Sequence, residues 1–305
     1  MRRPTLAHRV EYLLFRSVTL VLGVLPERVA SGVGAALGVV LGRILRIRRD
    51  VVEEHVRLAF PDESEAWRRR IVDQSYVHLG REAVVFFRMA GAAPEDIRAR
   101  TRVVGFEAVK QAAAEGRGIV GITGHLGNWE MSAAAVVAHG VPLDAVAKEM
   151  ANPLFDRALN DTRRRLGVEV VDMMDAPRRV LGNLRLGGRM QGLLADQNAH
   201  RGGIFVPFFG KLAATVRGPA VFAIRTGAPV FMVSAIRDSG PGGGYVVSFD
   251  PIEYSVTGDM EADVLALTRA HVSALEGLVR AAPEQYFWVH KRWKKRPEGS
   301  PTVDP

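Results

Sequence analysis

The side chains best suited to move a proton are His125 and Glu130, which stand with four residues between them in GHLGNWE, residues 124–130. An imidazole held by a carboxylate can take a proton from an alcohol, because the carboxylate fixes the tautomer and stabilises the imidazolium that forms. A five-residue offset gives no shared face on a continuous helix, so the pair needs a bend. Gly124 and Gly127 supply one and are expected to turn the two side chains towards each other. Asn128 is of the type that caps a helix, with Trp129 and Glu130 in the first turn. An ordinary alternative stands beside this reading: His125 closes a helix and Glu130 offsets its dipole. Asp196 and Gln197 follow the apolar run MQGLLA and either point into the same cleft or form a plain turn. Arg163, Arg164 and Arg165 fall late in a helical stretch, where cations suit the helix end or a forked guanidinium grips a phosphate.

The elements that must position these residues are short apolar runs alternating with helical patterns. GIVGIT at 118–123, LDAVAK at 143–148, VEVV at 168–171, MQGLLA at 190–195, PVFMVSAI at 229–236 and YVVSFD at 245–250 read as strands. Helices are expected over 129–139, 153–166, 216–226 and 260–281. Such alternation predicts an α/β fold with a mixed, largely buried β-sheet flanked by helices. His125 and Asp196 then lie beyond strand carboxyl ends, where open α/β sheets place their ligands. The chain divides into N-terminal membrane-associated helices over 1–50, a helical region over 51–102, an α/β core over 103–295 and a loose tail over 296–305.

With 305 residues, 48% hydrophobic and 24% charged, the chain has a sizeable core and is not disordered. Its net charge of +8 predicts attraction to anionic surfaces, and the absence of cysteine excludes disulfides, thiolate metal sites and a cysteine nucleophile. The apolar segments 12–25 and 29–45 are each interrupted by arginine and short for a simple span, so they read as interfacial, re-entrant or marginally spanning helices. Arg2, Arg3 and Arg9 before the first, and Arg43, Arg46, Arg48 and Arg49 after the second, favour the cytoplasmic side. Arg16 breaks what would otherwise be the core of a signal peptide. Gly34, Gly38 and Gly42 share one helical face, open to close approach by another helix. The basic run 290–296, with Trp288 and Trp293, suits a single-stranded nucleic acid or a lipid surface. The adjacent apolar segments decide for an anionic membrane surface and against nucleic acid. His8, His55, His78, His139, His200 and His271 do not form metal-ligand spacing and read as structural or surface residues.

GHLGNWE resembles the histidine, four residues, acidic residue motif of glycerolipid-type acyltransferases, and in this wording it is similar to the lipid A biosynthesis lauroyl and myristoyl acyltransferases. RRDVVEEHVRLAFPD at 48–62, NPLFDRALNDTRRRLG at 152–167, the block 193–231 and EQYFWVHKRWKKRP at 284–297 resemble further blocks of that family in order. The resemblance implies transfer of a fatty acyl group from acyl carrier protein or acyl-CoA to a hydroxyl of a glycolipid, most simply a lipid A precursor. It places this activity at the cytoplasmic face of a bacterial inner membrane. A phosphatidylinositol mannoside or another glycolipid is the alternative acceptor, and a catalytically silent lipid-binding protein the alternative function. No metal or redox cofactor is implied. By the same resemblance His125 is the general base, Glu130 its orienting partner, and Asp196 and Arg163 residues implicated in activity.

Several residues are expected around the substrates: Asn128, Arg164 and Gln197 beside the catalytic group, and Phe205, Pro207, Phe208 and Phe209 in GGIFVPFFGKLAATVRG. The three phenylalanines either line a channel for an acyl chain, whose burial contributes roughly 0.8 kcal/mol per methylene, or belong to the core. Thr215 and Arg217 precede a helix whose N-terminus is a candidate anion or oxyanion site.

Overall fold

In the computed structural model, which describes residues 4–199, 202–238, 244–295 and 297, the N-terminal apolar runs form helices laid against a longer one. Arg2, Arg3, His200, Arg296 and the tail residues 298–305 lie outside the described residues. Helix α1 (Leu6–Val24) buries only Leu22 and exposes Leu6, Leu13, Leu14, Val18, Leu20 and Val24. Helix α2 (Glu27–Val39) continues through a π-helical turn, Val40–Ile44, before α3 (Arg49–Ala59) turns away by 91°. Among the described residues no single helix is long and apolar enough to cross a membrane, but this bent pair passes by length and composition together.

Helix α4 (Glu65–Met89), capped by Ser64, holds this layer to the rest of the molecule. Gly34, Gly38 and Gly42 do face another helix closely, and that helix is α4. A Cβ at Gly38 would lie 2.1 Å from the Tyr76 carbonyl oxygen, and one at Gly80 would lie 2.1 Å from that of Gly34. Backbones this close require glycine on both sides. Arg88 of α4 donates to the carbonyls of Leu22 and Leu25, satisfying the end of α1. After the short α5 (Pro94–Arg100) the chain enters the sheet.

The strands are β1 (Thr101–Val104), β2 (Ile119–Thr123), β3 (Leu143–Ala147), β4 (Val168–Asp172) and β5 (Met190–Leu194), then β6 (Ile204–Phe208), β7 (Lys211–Thr215), β8 (Val230–Arg237) and β9 (Tyr245–Pro251). Seven of them form one sheet in the order β1-β9-β8-β2-β5-β3-β4, parallel throughout except for β8 against β9. The sheet is therefore mixed and mostly parallel, as the alternating pattern requires. Helices α6 (Phe106–Ala114), α7 (Trp129–Ala138), α8 (Pro153–Arg165), α9 (Ala176–Leu186), α10 (Gly218–Thr226) and α11 (Met260–Ala281) fill the connections. Strands β2 and β8 are buried on both faces: Val120, Ile122 and Met232 enter one apolar cluster, while Ile119, Phe231 and Val233 enter the other. That double burial explains their unbroken apolar runs.

Two features depart from the sequence reading. Strand β1 begins at Thr101, so the α/β core starts just before the composition changes at 103. The segment carrying Phe205, Phe208 and Phe209, residues 204–215, is not among the expected strands and folds into a separate antiparallel hairpin, β6–β7.

Candidate active site

His125 stands two residues past the end of β2 and Asp196 two past the end of β5, and Thr123 pairs with Leu194 across these neighbouring strands. The register therefore carries both side chains to one place. His125 Nδ1 lies 2.7 Å from Asp196 Oδ1, and the His125 backbone N–H donates to Asp196 Oδ2 at 2.8 Å. Each oxygen of the carboxylate thus has its own donor, which fixes the proton on Nδ1 and leaves the Nε2 lone pair facing outwards. There the exposed Gln197 brings its amide nitrogen to 3.3 Å.

Burial disfavours a charged imidazole, but the charge of Asp196, its hydrogen bond and the charge of Glu130 together raise the His125 pKa above its ordinary value. Burial likewise works against an ionised Asp196, yet attraction to His125 and the two bonds from it hold that carboxyl down to about 2. Asp196 is ionised, and its partner is a strong base for an imidazole.

The carboxylate that meets the imidazole is therefore Asp196, not Glu130 as the local spacing suggested. Glu130, in the first turn of α7, accepts a forked pair from Arg163 of α8: Nε to Oε2 at 3.0 Å and a terminal nitrogen to Oε1 at 2.5 Å. Arg163 also donates to Asn160 Oδ1 at 2.9 Å. Of the three adjacent arginines, it is Arg163 that turns inwards, while Arg164 pairs with Asp161 at 3.1 Å on an exposed face. The two glycines of the motif serve close approach. A Cβ at Gly127, which has φ +60°, would meet the Ala235 carbonyl oxygen at 2.0 Å, and one at Gly124 would meet Leu275 and Asp196.

The loop 125–128 is laid like an extra strand beside β8 and the segment 285–287. The Gly127 N–H donates to the Gln285 carbonyl, the Asn128 N–H to that of Ala235 and the Phe287 N–H to that of His125, each at 2.9 Å. Trp129 and Phe287 close the rings around the imidazole, with centroids 4.7 and 5.7 Å from it.

Behind the loop lies a buried group that nothing in the sequence reading identified. Glu82 of α4 accepts from Arg237 Nε at 2.6 Å, from Asn128 Nδ2 at 2.7 Å and from the Tyr245 hydroxyl at 2.7 Å. The Asn128 Oδ1 caps α7 through the Met131 N–H at 2.8 Å. Asn128 is thereby committed on both sides and buried, so it supports the loop from behind and lines neither of the clefts described below. A carboxylate among the apolar positions of α4, three before Val85 and seven before Met89, is the signal that marks Glu82.

Other expected site residues lie elsewhere. Phe208 and Phe209 are buried against Trp293 and Trp288 in the core, and Pro207 is exposed on the hairpin, with Phe205 half-buried beside it. Thr215 is fully buried and receives the Arg292 guanidinium at 2.6 Å, while Arg217 pairs with Glu261 at 2.5 Å. Neither is arranged as an anion site. Trp288 and Trp293 are core residues, which removes them from any membrane interface.

Two clefts bear on the site, of which the first reaches His125 and the second does not. One is a narrow crevice of about 20 Å³ that reaches His125 between α4 and the segment 285–289, walled largely by Tyr76, Leu79, Trp129, Phe287 and Val289. The other, of about 160 Å³, is polar and lies at the carboxyl ends of β3 and β4, with Arg164 on its wall.

Comparison with known proteins identifies relatives along almost the whole chain. The family model for bacterial lipid A biosynthesis acyltransferase matches residues 2–295. A lipid A biosynthesis lauroyltransferase of Escherichia coli K12 is 30% identical over 280 residues, covering 91% of this chain and 89% of that one. A lipid A biosynthesis acyltransferase of Haemophilus influenzae is 25% identical over 288 residues, 93% and 88% of the two chains. A phosphatidylinositol mannoside acyltransferase of Mycolicibacterium smegmatis is 28% identical over 222 residues, 72% and 70% of the two.

Proposed function

This chain belongs to the bacterial lipid A biosynthesis acyltransferase family, and from that premise we propose that it moves a fatty acyl group from a thioester to a hydroxyl of a glycolipid. His125 Nε2 takes the hydroxyl proton as the oxygen attacks the thioester carbonyl, Asp196 stabilises the imidazolium, and the thiolate leaves and recovers the proton. Arg163 and the first-turn N–H groups of α7 supply positive potential beside the developing oxyanion. Glu130 holds that guanidinium in place. A thioester is activated enough for this attack that the chemistry calls for no metal or redox cofactor.

The observation that carries the reading is the oriented His125–Asp196 pair beside an apolar crevice. The apolar crevice borders the imidazole where the carbonyl end of an acyl chain would arrive. Acyl carrier protein or acyl-CoA is the donor, and a lipid A precursor the acceptor, with a phosphatidylinositol mannoside second because a relative of that name matches at 28% identity. The exposed apolar face of α1 and α2 supports seating on the cytoplasmic face of an inner membrane with these helices lying in the interface.

Mass spectrometry of membrane lipids from cells with the wild-type protein should show one glycolipid gaining a single acyl chain. His125→Ala should abolish the gain while the purified variant keeps its circular dichroism. Unchanged acylation by a folded variant would remove His125 from the mechanism.

A further inference from the structure

We propose that the polar cleft at the carboxyl ends of β3 and β4 binds a sugar ring of the acceptor glycolipid, an inference that rests on the acyl-transfer reading above. Sheet register sets the distance. Thr123 pairs with Leu194, Ala145 with Gly192 and Ala147 with Asp172, so the ends of β2, β5, β3 and β4 lie level in one row. With strands about 4.8 Å apart, the cleft between β3 and β4 is centred about 12 Å from the end of β2 that presents His125. A disaccharide headgroup spans such a gap.

The lining decides the chemistry. Lys148, Glu149, Asp156, Asn160, Arg164 and Asp172 face the cleft, three carboxylates against two cations. An excess of negative charge disfavours a phosphate in this position, and the polar wall disfavours a hydrocarbon chain. Carboxylates, an amide and an ammonium together match the alternating donors and acceptors of a ring of hydroxyls. Among the described residues no hydrogen bond or ion pair engages Lys148 or Glu149, so both are available to a ligand.

The cleft is also wired to the reacting centre. Asn160 donates to Asp156 Oδ2 at 3.1 Å and accepts from Arg163, which forks onto Glu130. A sugar seated against Asp156 and Asn160 would therefore adjoin the same guanidinium that flanks the acyl carbonyl. The apolar layer meets this helix as well. Asn152, the cap of α8, donates to the His8 carbonyl at 3.1 Å and to Glu11 at 3.0 Å on α1, and Phe155 packs on Phe15 with ring centroids 4.5 Å apart. A headgroup in the cleft thus lies beside the helix whose exposed face suits its lipid tails.

The test uses the full chain in mixed micelles with Asp172→Asn and Lys148→Ala, neither of which touches His125, Asp196, Glu130 or Arg163. At saturating acyl thioester, each should raise the KM for a disaccharide glycolipid about tenfold, the loss of one charge-assisted contact. The kcat, and the hydrolysis of thioester without acceptor, should stay within twofold of wild type. Binding of a soluble glucosamine disaccharide, read by saturation-transfer NMR, should weaken in both variants, and inorganic phosphate should not displace it. Glycolipid acylation with an unchanged acceptor KM in both variants overturns the cleft and leaves the transfer reading standing. Disaccharide binding that the variants lose, in a protein that acylates no glycolipid, overturns the transfer reading and keeps the cleft as a sugar site. Displacement by phosphate assigns the cleft to anions and refutes the proposal.

Discussion

Replacing Asp196 with asparagine tests the dyad at the atom where its geometry is most demanding. The carboxylate accepts from two donors at once, His125 Nδ1 at 2.7 Å and the His125 backbone N–H at 2.8 Å. Asparagine has one acceptor and one donor on the same frame, and either orientation fails. With its oxygen on Nδ1, its amide meets the backbone N–H donor to donor. With its oxygen on the backbone, its amide donates to Nδ1, the ring proton moves to Nε2, and the imidazole no longer offers a base to the open side. Loss of the charge adds to this. At an effective dielectric of about 20 and a charge separation near 4 Å, the attraction to an imidazolium is about 4 kcal/mol, or about a thousandfold in rate if the proton is fully transferred in the transition state. The expected result is a kcat lower by about 10³ with acceptor KM little changed. The pH profile gives a second readout. Wild-type activity should fall as pH drops through a value above 6.5, because Asp196 and Glu130 raise the His125 pKa against burial. Without the Asp196 charge, burial dominates and the acid limb should move to lower pH. Radiolabelled acyl transfer measured from pH 5 to 9 would reveal both effects. A kcat within tenfold of wild type and an unmoved acid limb would refute the argument.

The forked pair of Glu130 and Arg163 should behave as one unit. Glu130→Gln and Arg163→Ala should each depress kcat, the double variant should be little worse than either, and the cycle should give a coupling of roughly 1.5–3 kcal/mol; additive losses would separate them. Gly38→Ala must push α2 away from the Tyr76 carbonyl, so chemical denaturation should show a loss of about 1–3 kcal/mol, and an unchanged midpoint would contradict the close packing. Glu82→Gln leaves Arg237 without its buried counter-charge, and a destabilisation of about 3 kcal/mol is expected in urea titration, with kcat lowered and the His125 acid limb unmoved. Wild-type stability in that variant would show the network to be ornamental.

The sheet was legible because its central strands are buried on both faces and so are apolar almost without interruption. Strands β2, β5 and β8 announce themselves in this way, with Gln191 and Ser234 as buried polar breaks, and β2 and β5 in turn place His125 and Asp196 at strand ends. Strand β1 is short and lies at the sheet edge, and the β6–β7 hairpin carries Pro207 on an exposed position, so neither offers the pattern that buried strands do. Local spacing points to the wrong partner for the imidazole for a different reason. Spacing within one segment sees Glu130, five residues on, but the register of β2 against β5 is what carries Asp196, 71 residues on, to the ring. The C-terminal basic run misleads through composition. Lys291, Lys294 and Lys295 are exposed while Trp288 and Trp293 are buried, a segregation invisible to a count of cations and aromatics.

Helix α4 joins the apolar N-terminal layer to the candidate site. At Tyr76 and Gly80 its backbone is packed against the glycines of α2, whose other face is exposed and apolar, and at Glu82 it grips Asn128 at the foot of the loop 125–128. Gly80 and Glu82 are two residues apart, about 3 Å along the axis. The apolar layer and the loop that carries His125 are thus referred to almost the same point on one rigid element. If the layer seats in a bilayer, its depth fixes the height of the imidazole above the lipid, and no hinge intervenes to absorb an error. A glycolipid acceptor cannot leave its tails behind, so its hydroxyl reaches the base only if those two heights agree. Tight glycine packing and a buried charged clamp on neighbouring turns serve that agreement better than a flexible linker would.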